Sequence, residues 1–357
     1  MYTACPDGEV FDHAYQRMPY WGMRGGDLIA HLSRNGFDCY AASVSPTGSA
    51  WDRACELYAQ LSGSRVDYGR VHSERCRHER YGRDFSDSPL LTEWDEDTRL
   101  VLLGHSFGGA TVRVFAELMA LGASDECAFE DCSPLFQGGM GNRIHSIVTL
   151  ASPMNGTTAY DLFEDASFHP EEVRVPRWSR IMARMMAAGT KPRRDARISE
   201  DYAGHDMHLD TAAKMNAWMR EQKDTYYFSV PCSCTEKKAD GSWRPKKETE
   251  PLFVMRSCQI GAYTGVTKGG MTVDETWREN DGLVNTVSAS WPTGSEHRPF
   301  DPGDIQPGIW NVFPTYEGDH MSLQGGLMRV HDVRGFYEEL LCMIAGLYVP
   351  HDGQASP

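Results

Sequence analysis

Gly104-His105-Ser106-Phe107-Gly108 sets a serine between two glycines, a spacing suited to nucleophilic chemistry. On a sharp strand-to-helix turn the serine backbone is strained, and side chains two positions before and after it would collide. Glycine at 104 and 108 removes that collision and lifts the Ser106 hydroxyl clear of the sheet. Such a hydroxyl is inert near neutral pH until a histidine takes its proton and a carboxylate orients that histidine. At an elbow of this kind the carboxylate and then the histidine follow the serine in chain order. Among the late histidines, His297 sits in a charged, Pro-flanked loop, His331 opens the last helix and His351 lies in the tail. His320, in the loop Tyr316-Glu-Gly-Asp-His-Met321, is the favoured base. Asp281, in Glu279-Asn-Asp-Gly282, leads the acids, although Asn-Asp-Gly is also turn chemistry. Asp301, Asp304 and Asp319 satisfy the order too, but Asp319 adjoins His320, and neighbouring side chains seldom meet in the required geometry.

The elements that must position these groups alternate in type. Residues 100–103 read as a short buried strand and 110–121 as a helix with Val114, Leu118 and Leu121 on one face. Upstream, 28–32 read as a short helix stopped by Asn35-Gly36, 37–44 as a strand, and 51–61 as a helix. Residues 66–85 show no clear period and read as an ordered loop that needs a staple. Ile144–Leu150 and Tyr226–Val230 read as further strands, 232–250 as a charged loop, 282–287 as a short apolar stretch and 333–341 as the last helix. Strands alternating with helices predict an α/β protein with a mostly parallel sheet covered on both faces. Residues 1–350 are expected to form a single domain, with a disordered tail from 351.

Residues 157–224 are helical in pattern. Trp178, Ile181, Met182, Met185 and Met186 share one face, with Arg177, Arg180 and Arg184 opposite. This stripe is either a helix packed on the core or a mobile lid, with Trp178, Met182 and Met185 over the site. The net charge of −15 over 357 residues argues against a nucleic-acid partner. No run of about 18 apolar residues predicts a transmembrane segment. The ten cysteines are scattered and read as buried free thiols.

Longer motifs carry a resemblance. Tyr20-Trp-Gly22, Trp51-Asp-Arg-Ala-Cys-Glu-Leu-Tyr-Ala-Gln60, Val66-Asp-Tyr-Gly69, His78-Glu-Arg-Tyr-Gly-Arg83, Ser133-Pro-Leu-Phe-Gln-Gly-Gly139, Glu279-Asn-Asp-Gly-Leu-Val-Asn-Thr-Val-Ser288 and Asp319-His320 stand in this chain. With them it resembles the thermoalkalophilic, zinc-containing bacterial lipases of family I.5 and related esterases of anaerobic firmicutes. The resemblance implies an α/β-hydrolase fold with a helical lid and a small zinc-linked extra region. It implies Ser106, Asp281 and His320 as a triad and the amide of Phe107 as an oxyanion donor. It further implies a structural zinc held by Asp52, His72, His78 and Asp206, tying the 66–85 loop to the helix around 206–220. Two neutral imidazoles and two carboxylates suit a closed, tetrahedral Zn²⁺ site with no place for a reacting water. Met321-Ser-Leu-Gln-Gly-Gly-Leu327 has no carboxylate after the histidine, so calcium is not expected.

The resemblance thus implies a hydrolase of ester or lipid substrates, at a lipid–water or polymer surface, with polyesters among them. Acyl transfer on the same triad is one alternative, and a zinc-stapled binding protein without turnover is another. The fold also calls for a strand ending in His-Gly between the strands at 37–44 and 100–103. Residues 1–18 hold no apolar run to fill it, so an apolar strand encoded upstream of Met1 is expected.

Overall fold

The computed structural model describes residues 2–3, 18–180, 200–239 and 241–347. A five-stranded sheet forms its centre: β1 Leu100–His105, β2 Ile144–Leu150, β3 Tyr226–Val230, β4 His297–Pro299 and β5 Trp310–Val312. The strands lie in the order β4-β5-β3-β2-β1, and each neighbouring pair is parallel. β2 runs Ile-His-Ser-Ile-Val-Thr-Leu with every residue buried, as a strand covered on both faces requires.

The flanking helices, in chain order, are α1 Leu28–Arg34, α2 Ala50–Ser62, α3 Arg70–Cys76, α4 Gly108–Leu121, α5 Leu209–Trp218 and α6 Arg334–Ala345. α2 starts where the Ser49 side chain accepts from Asp52 N and stops at Gly63, whose φ of 64° ends the helix. α4 is apolar on most sides because it lies between the sheet and α2. Val112, Phe115, Leu118 and Met119 of α4 join Ala54, Leu57 and Leu61 of α2 in one core. Among the described residues no helix is long and apolar enough to cross a membrane.

The structure corrects several local expectations. The strand read at 37–44 is reduced to Ser43–Val44, which pairs in parallel with Tyr2–Thr3. The 66–85 segment is not a plain loop. It folds as an antiparallel pair, Arg65–Asp67 with Tyr81–Asp84, around α3. The 232–250 stretch contains a small hairpin, Thr235–Lys237 with Trp243–Pro245. Cys127 and Cys132 are joined in a disulfide, against the reading of all cysteines as free thiols. Their chain separation of five residues places them on one surface loop, a pairing that scattered counts do not reveal. Trp178 is half exposed, at 48%, whereas Met182 and Met185 lie outside the described residues.

Among the described residues nothing pairs with the outer edge of β1. That edge borders an apolar cavity of about 590 Å³, whose walls include Leu102, Ala42, Leu57, Leu32, Tyr337 and Ile344.

The loop after His320 is held from within the chain. Glu250 is fully buried, and one carboxylate oxygen accepts from the amides of Leu327, Met328 and Arg329 at 2.7, 2.7 and 3.1 Å. Its own amide donates to Asp319 Oδ2 at 2.8 Å. An anion gathering three amides fixes a turn that contains no regular element. Glu250→Ala is therefore expected to lower unfolding free energy by about 3 kcal/mol through the acceptor withdrawn from those amides. Denaturant titration measures this, and a loss below about 1 kcal/mol would mean that the loop is anchored elsewhere.

Candidate active site and metal centre

Ser106 follows β1 and precedes α4, with φ at +55°, a left-handed backbone that only a strongly held turn imposes on a side chain. Three contacts hold it. Ser106 N donates to Leu150 O at 2.9 Å, Gly109 N donates to Ser106 O at 3.0 Å, and the Ser152 hydroxyl donates to Gly104 O at 3.0 Å. A Cβ at Gly104 would fall 2.4 Å from the carbonyl oxygen of Gly108, so the chain can turn here only with glycine at 104. Gly109, which the motif does not specify, is needed as well: a Cβ there would lie 2.4 Å from Ser152 Oγ. Phe107 is buried at the head of α4, where the leading N–H groups of a helix have no partner within it.

The structure brings Ser106, His320 and Asp281 into one hydrogen-bonded chain. His320 Nε2 lies 2.8 Å from Ser106 Oγ, and His320 Nδ1 lies 2.8 Å from Asp281 Oδ2. The other carboxylate oxygen of Asp281 accepts from the amides of Leu283 and Val284 at 2.9 and 2.8 Å. His320 N also donates to the Asp281 carbonyl at 2.9 Å, so backbone and side chain fix the pair together. Asp281 is 1% exposed and His320 3%, so little water competes for either.

The rival acids face elsewhere. Asp319 accepts from the amides of Glu250 and Met321, Asp304 pairs with Arg298, and Asp301 accepts from Gly303 N. Among the other histidines, His297 is exposed and stacks on Trp291.

A second cluster lies at the start of α2. Asp52, His72, His78 and Asp201 each offer one donor atom, all within 4.8 Å of one another, and could hold a metal ion. His72 Nε2 is 3.0 Å from Asp52 Oδ1 and 3.6 Å from Asp201 Oδ1. His78 Nε2 is buried, lies 3.4 Å from Asp201 Oδ2 and makes no hydrogen bond. A buried nitrogen within 4 Å of two carboxylates but hydrogen-bonded to neither fits a cation site. His78 Nδ1 is turned to the Glu79 carbonyl at 2.8 Å, which fixes the ring as ligating histidines require. Burial opposes the His72 charge, but contacts with Asp201, Asp52 and Cys76 outweigh it and raise its pKa to about 11.

Where Asp206 is expected as the fourth ligand, the cluster instead brings in Asp201. Asp206 ends the short helix Ala203–Asp206, and its carboxylate accepts from Ala50 N at 2.7 Å, at the head of α2. Burial, opposed by that bond and reinforced by Asp201 and Asp52, pushes Asp206 up to about 7. Two acids stand close together in Glu200-Asp-Tyr-Ala-Gly-His-Asp206, and spacing alone does not choose between 201 and 206.

Residues 9–175 match the family profile described as "Lipase-like, C-terminal domain". Lipase 2 of Staphylococcus aureus is 31% identical over 350 residues, covering 89% of this chain and 49% of its own length. The lipase of Staphylococcus epidermidis is 30% identical over 332 residues, covering 86% of this chain and 46% of its own. The chain thus spans about half the length of these curated relatives. Among solved structures, lipase 1 from Pelosinus fermentans is 30% identical with a TM-score of 0.71, over 90% of this chain and 92% of that one. The chain belongs to the family I.5 type of bacterial lipases. The Staphylococcus hyicus lipase (27% identity, TM-score 0.77, 96% and 95% coverage) shares its fold. So does EstA from Clostridium botulinum, at 28% identity, a TM-score of 0.79, and 92% and 82% coverage. Within this family frame the mostly parallel sheet and its covering helices are those of an α/β-hydrolase.

The donor set gives a direct test. Asp201→Asn is expected to abolish binding of a divalent metal, whereas Asp206→Asn keeps about one ion per chain. Elemental analysis of the purified variants decides, and metal retained in Asp201→Asn but lost in Asp206→Asn would reverse the assignment.

Proposed function

We propose that the chain is a carboxylic-ester hydrolase acting on ester or lipid substrates through an acyl-enzyme on Ser106. The observation that carries this reading is the Asp281–His320–Ser106 relay, with 2.8 Å at each step. Its support from relatives is their naming as lipases. Ser106 Oγ attacks the ester carbonyl while His320 Nε2 takes its proton. Asp281, already satisfied by two amides, stabilises the resulting imidazolium through Nδ1. The Phe107 amide is the proposed donor to the developing oxyanion. His320 then returns the proton to the leaving alcohol, and water resolves the acyl-enzyme by the reverse path.

Zinc is the proposed occupant of the Asp52, His72, His78 and Asp201 cluster, since two imidazoles and two carboxylates at this spacing suit it. All four positions are protein groups, so the ion ties α2, α3 and the 201 segment together and supplies no reacting water. Chelation should therefore lower the melting temperature more than it lowers room-temperature turnover. Calorimetry and ester assays on the same chelated sample would count against this role if turnover vanished with the melting curve unmoved.

Hydrolysis of p-nitrophenyl butyrate is expected to fall by about 10³-fold or more in each of Ser106→Ala, His320→Ala and Asp281→Ala. The losses should not add across the three, because the residues act as a unit. A fluorophosphonate probe should label Ser106 in the unaltered chain. Near-full activity of Asp281→Ala would remove it from the relay, and unlabelled Ser106 would remove the acyl-enzyme.

A further inference from the structure

His105, the residue before Ser106, has no place in the proposed relay, yet it is 3% exposed and bonded at both ring nitrogens, to the Tyr20 hydroxyl and the His320 main chain. Its Nε2 lies 2.7 Å from the main-chain carbonyl oxygen of His320. A carbonyl oxygen only accepts, so Nε2 must carry the hydrogen. Its Nδ1 lies 2.5 Å from the hydroxyl of Tyr20. A neutral ring with hydrogen on Nε2 has a lone pair on Nδ1, and the Tyr20 hydroxyl is the group that donates to it.

We propose that Tyr20 and His105 are a positioning pair for the reaction on Ser106: the Tyr20 hydroxyl holds His105 as the neutral Nε2–H tautomer, and that N–H fixes the main chain of His320 within reach of Ser106. The proposal rests on the ester-hydrolase reading. Geometry supports it from three sides. The bond links residue 105, next to the nucleophile, with residue 320, the base, across 215 positions of chain. The 20–22 segment is itself tied to the base loop, because Gly22 N donates to Gln324 O at 3.0 Å. The two imidazoles stand 4.8 Å apart, centroid to centroid, so a charged His105 would repel the imidazolium that His320 becomes during turnover. Burial, and after it the His320 charge, hold His105 below its ordinary range and keep it neutral.

The test uses the full chain with nitrogen-labelled histidine, without substrate, and kinetics on p-nitrophenyl butyrate. Nitrogen NMR is expected to show His105 as the Nε2–H tautomer, and Tyr20→Phe should turn it into a tautomer mixture. The same variant should lose about tenfold in kcat with KM changed less than about twofold, the size of one neutral hydrogen bond. His105→Gln, which keeps an N–H donor, should retain more kcat than His105→Leu, which does not. Three results overturn the proposal: a doubly protonated or Nδ1–H His105 in the unaltered chain, a kcat loss in Tyr20→Phe with the tautomer unchanged, or equal activity of the Gln and Leu variants. The tautomer is read without turnover, so its failure is distinct from failure of the ester-hydrolase reading, which Ser106→Ala tests.

Discussion

The site depends on one close approach, that of Gly104 to Gly108. The carbonyl of Gly108 occupies the space where a side chain at 104 would begin, and no other residue lets β1 turn directly into α4. The left-handed conformation of Ser106 follows from that turn. The strain, of order 1–3 kcal/mol, is tolerated because β2 and most of β1 and α4 are buried and over-determine the backbone between them. Ser152, two residues past β2, supplies the last brace through its hydroxyl on the Gly104 carbonyl. A serine on a mobile loop would need no such support, but it would not meet His320 at a fixed distance either.

The second constraint is electrostatic. A carboxylate at 1% exposure costs several kcal/mol unless its lone pairs are filled. The Asn280-Asp281-Gly282 turn fills them locally, because the amides of Leu283 and Val284 point back at Asp281 Oδ1. One oxygen is thereby left for His320. The turn chemistry that made Asp281 ambiguous as an acid is thus the means by which its charge is held. Turn and acid are one arrangement.

The parts legible in the sequence were those fixed by short-range patterns. The elbow, β2, β3, α2 and α4 each announce themselves within about a dozen residues, through period, caps or glycine spacing. What escaped was set by tertiary contact. Asp201 and Asp206 are both acids on one short segment, and only the packing of residues 201–206 against Ser49 and Ala50 decides which faces the histidines. The 66–85 segment has no period because its strands are three and four residues long and α3 spans seven. Glu250 sits in a charged stretch, where nothing marks one glutamate as the buried anchor of a loop 77 positions away. The Cys127–Cys132 bridge escaped for the same reason, since cysteine counts carry no pairing.

The metal cluster and the elbow are joined by a short path. Asp52 lies in the first turn of α2, and the next residue, Arg53, is buried with its guanidinium 4.9 Å from the Phe107 ring centroid. An arginine over an aromatic face contributes roughly 0.5–2 kcal/mol, more when water is excluded, as it is here. Phe107 is the residue after Ser106 and the proposed oxyanion donor. An ion held by Asp52 would fix the first turn of α2, and through Arg53 would bear on the Phe107 ring, one residue from the nucleophile. Glu126 completes the arrangement from the other side, accepting from Val71 N and His72 N at 2.9 and 2.7 Å. This bond caps α3 and sets where His72 begins. The Asp52, His72, His78 and Asp201 cluster is thus the point where α2, α3 and the 201 segment meet. Its proposed role follows from the path it anchors, Asp52 to Arg53 to Phe107, rather than from any chemistry of its own.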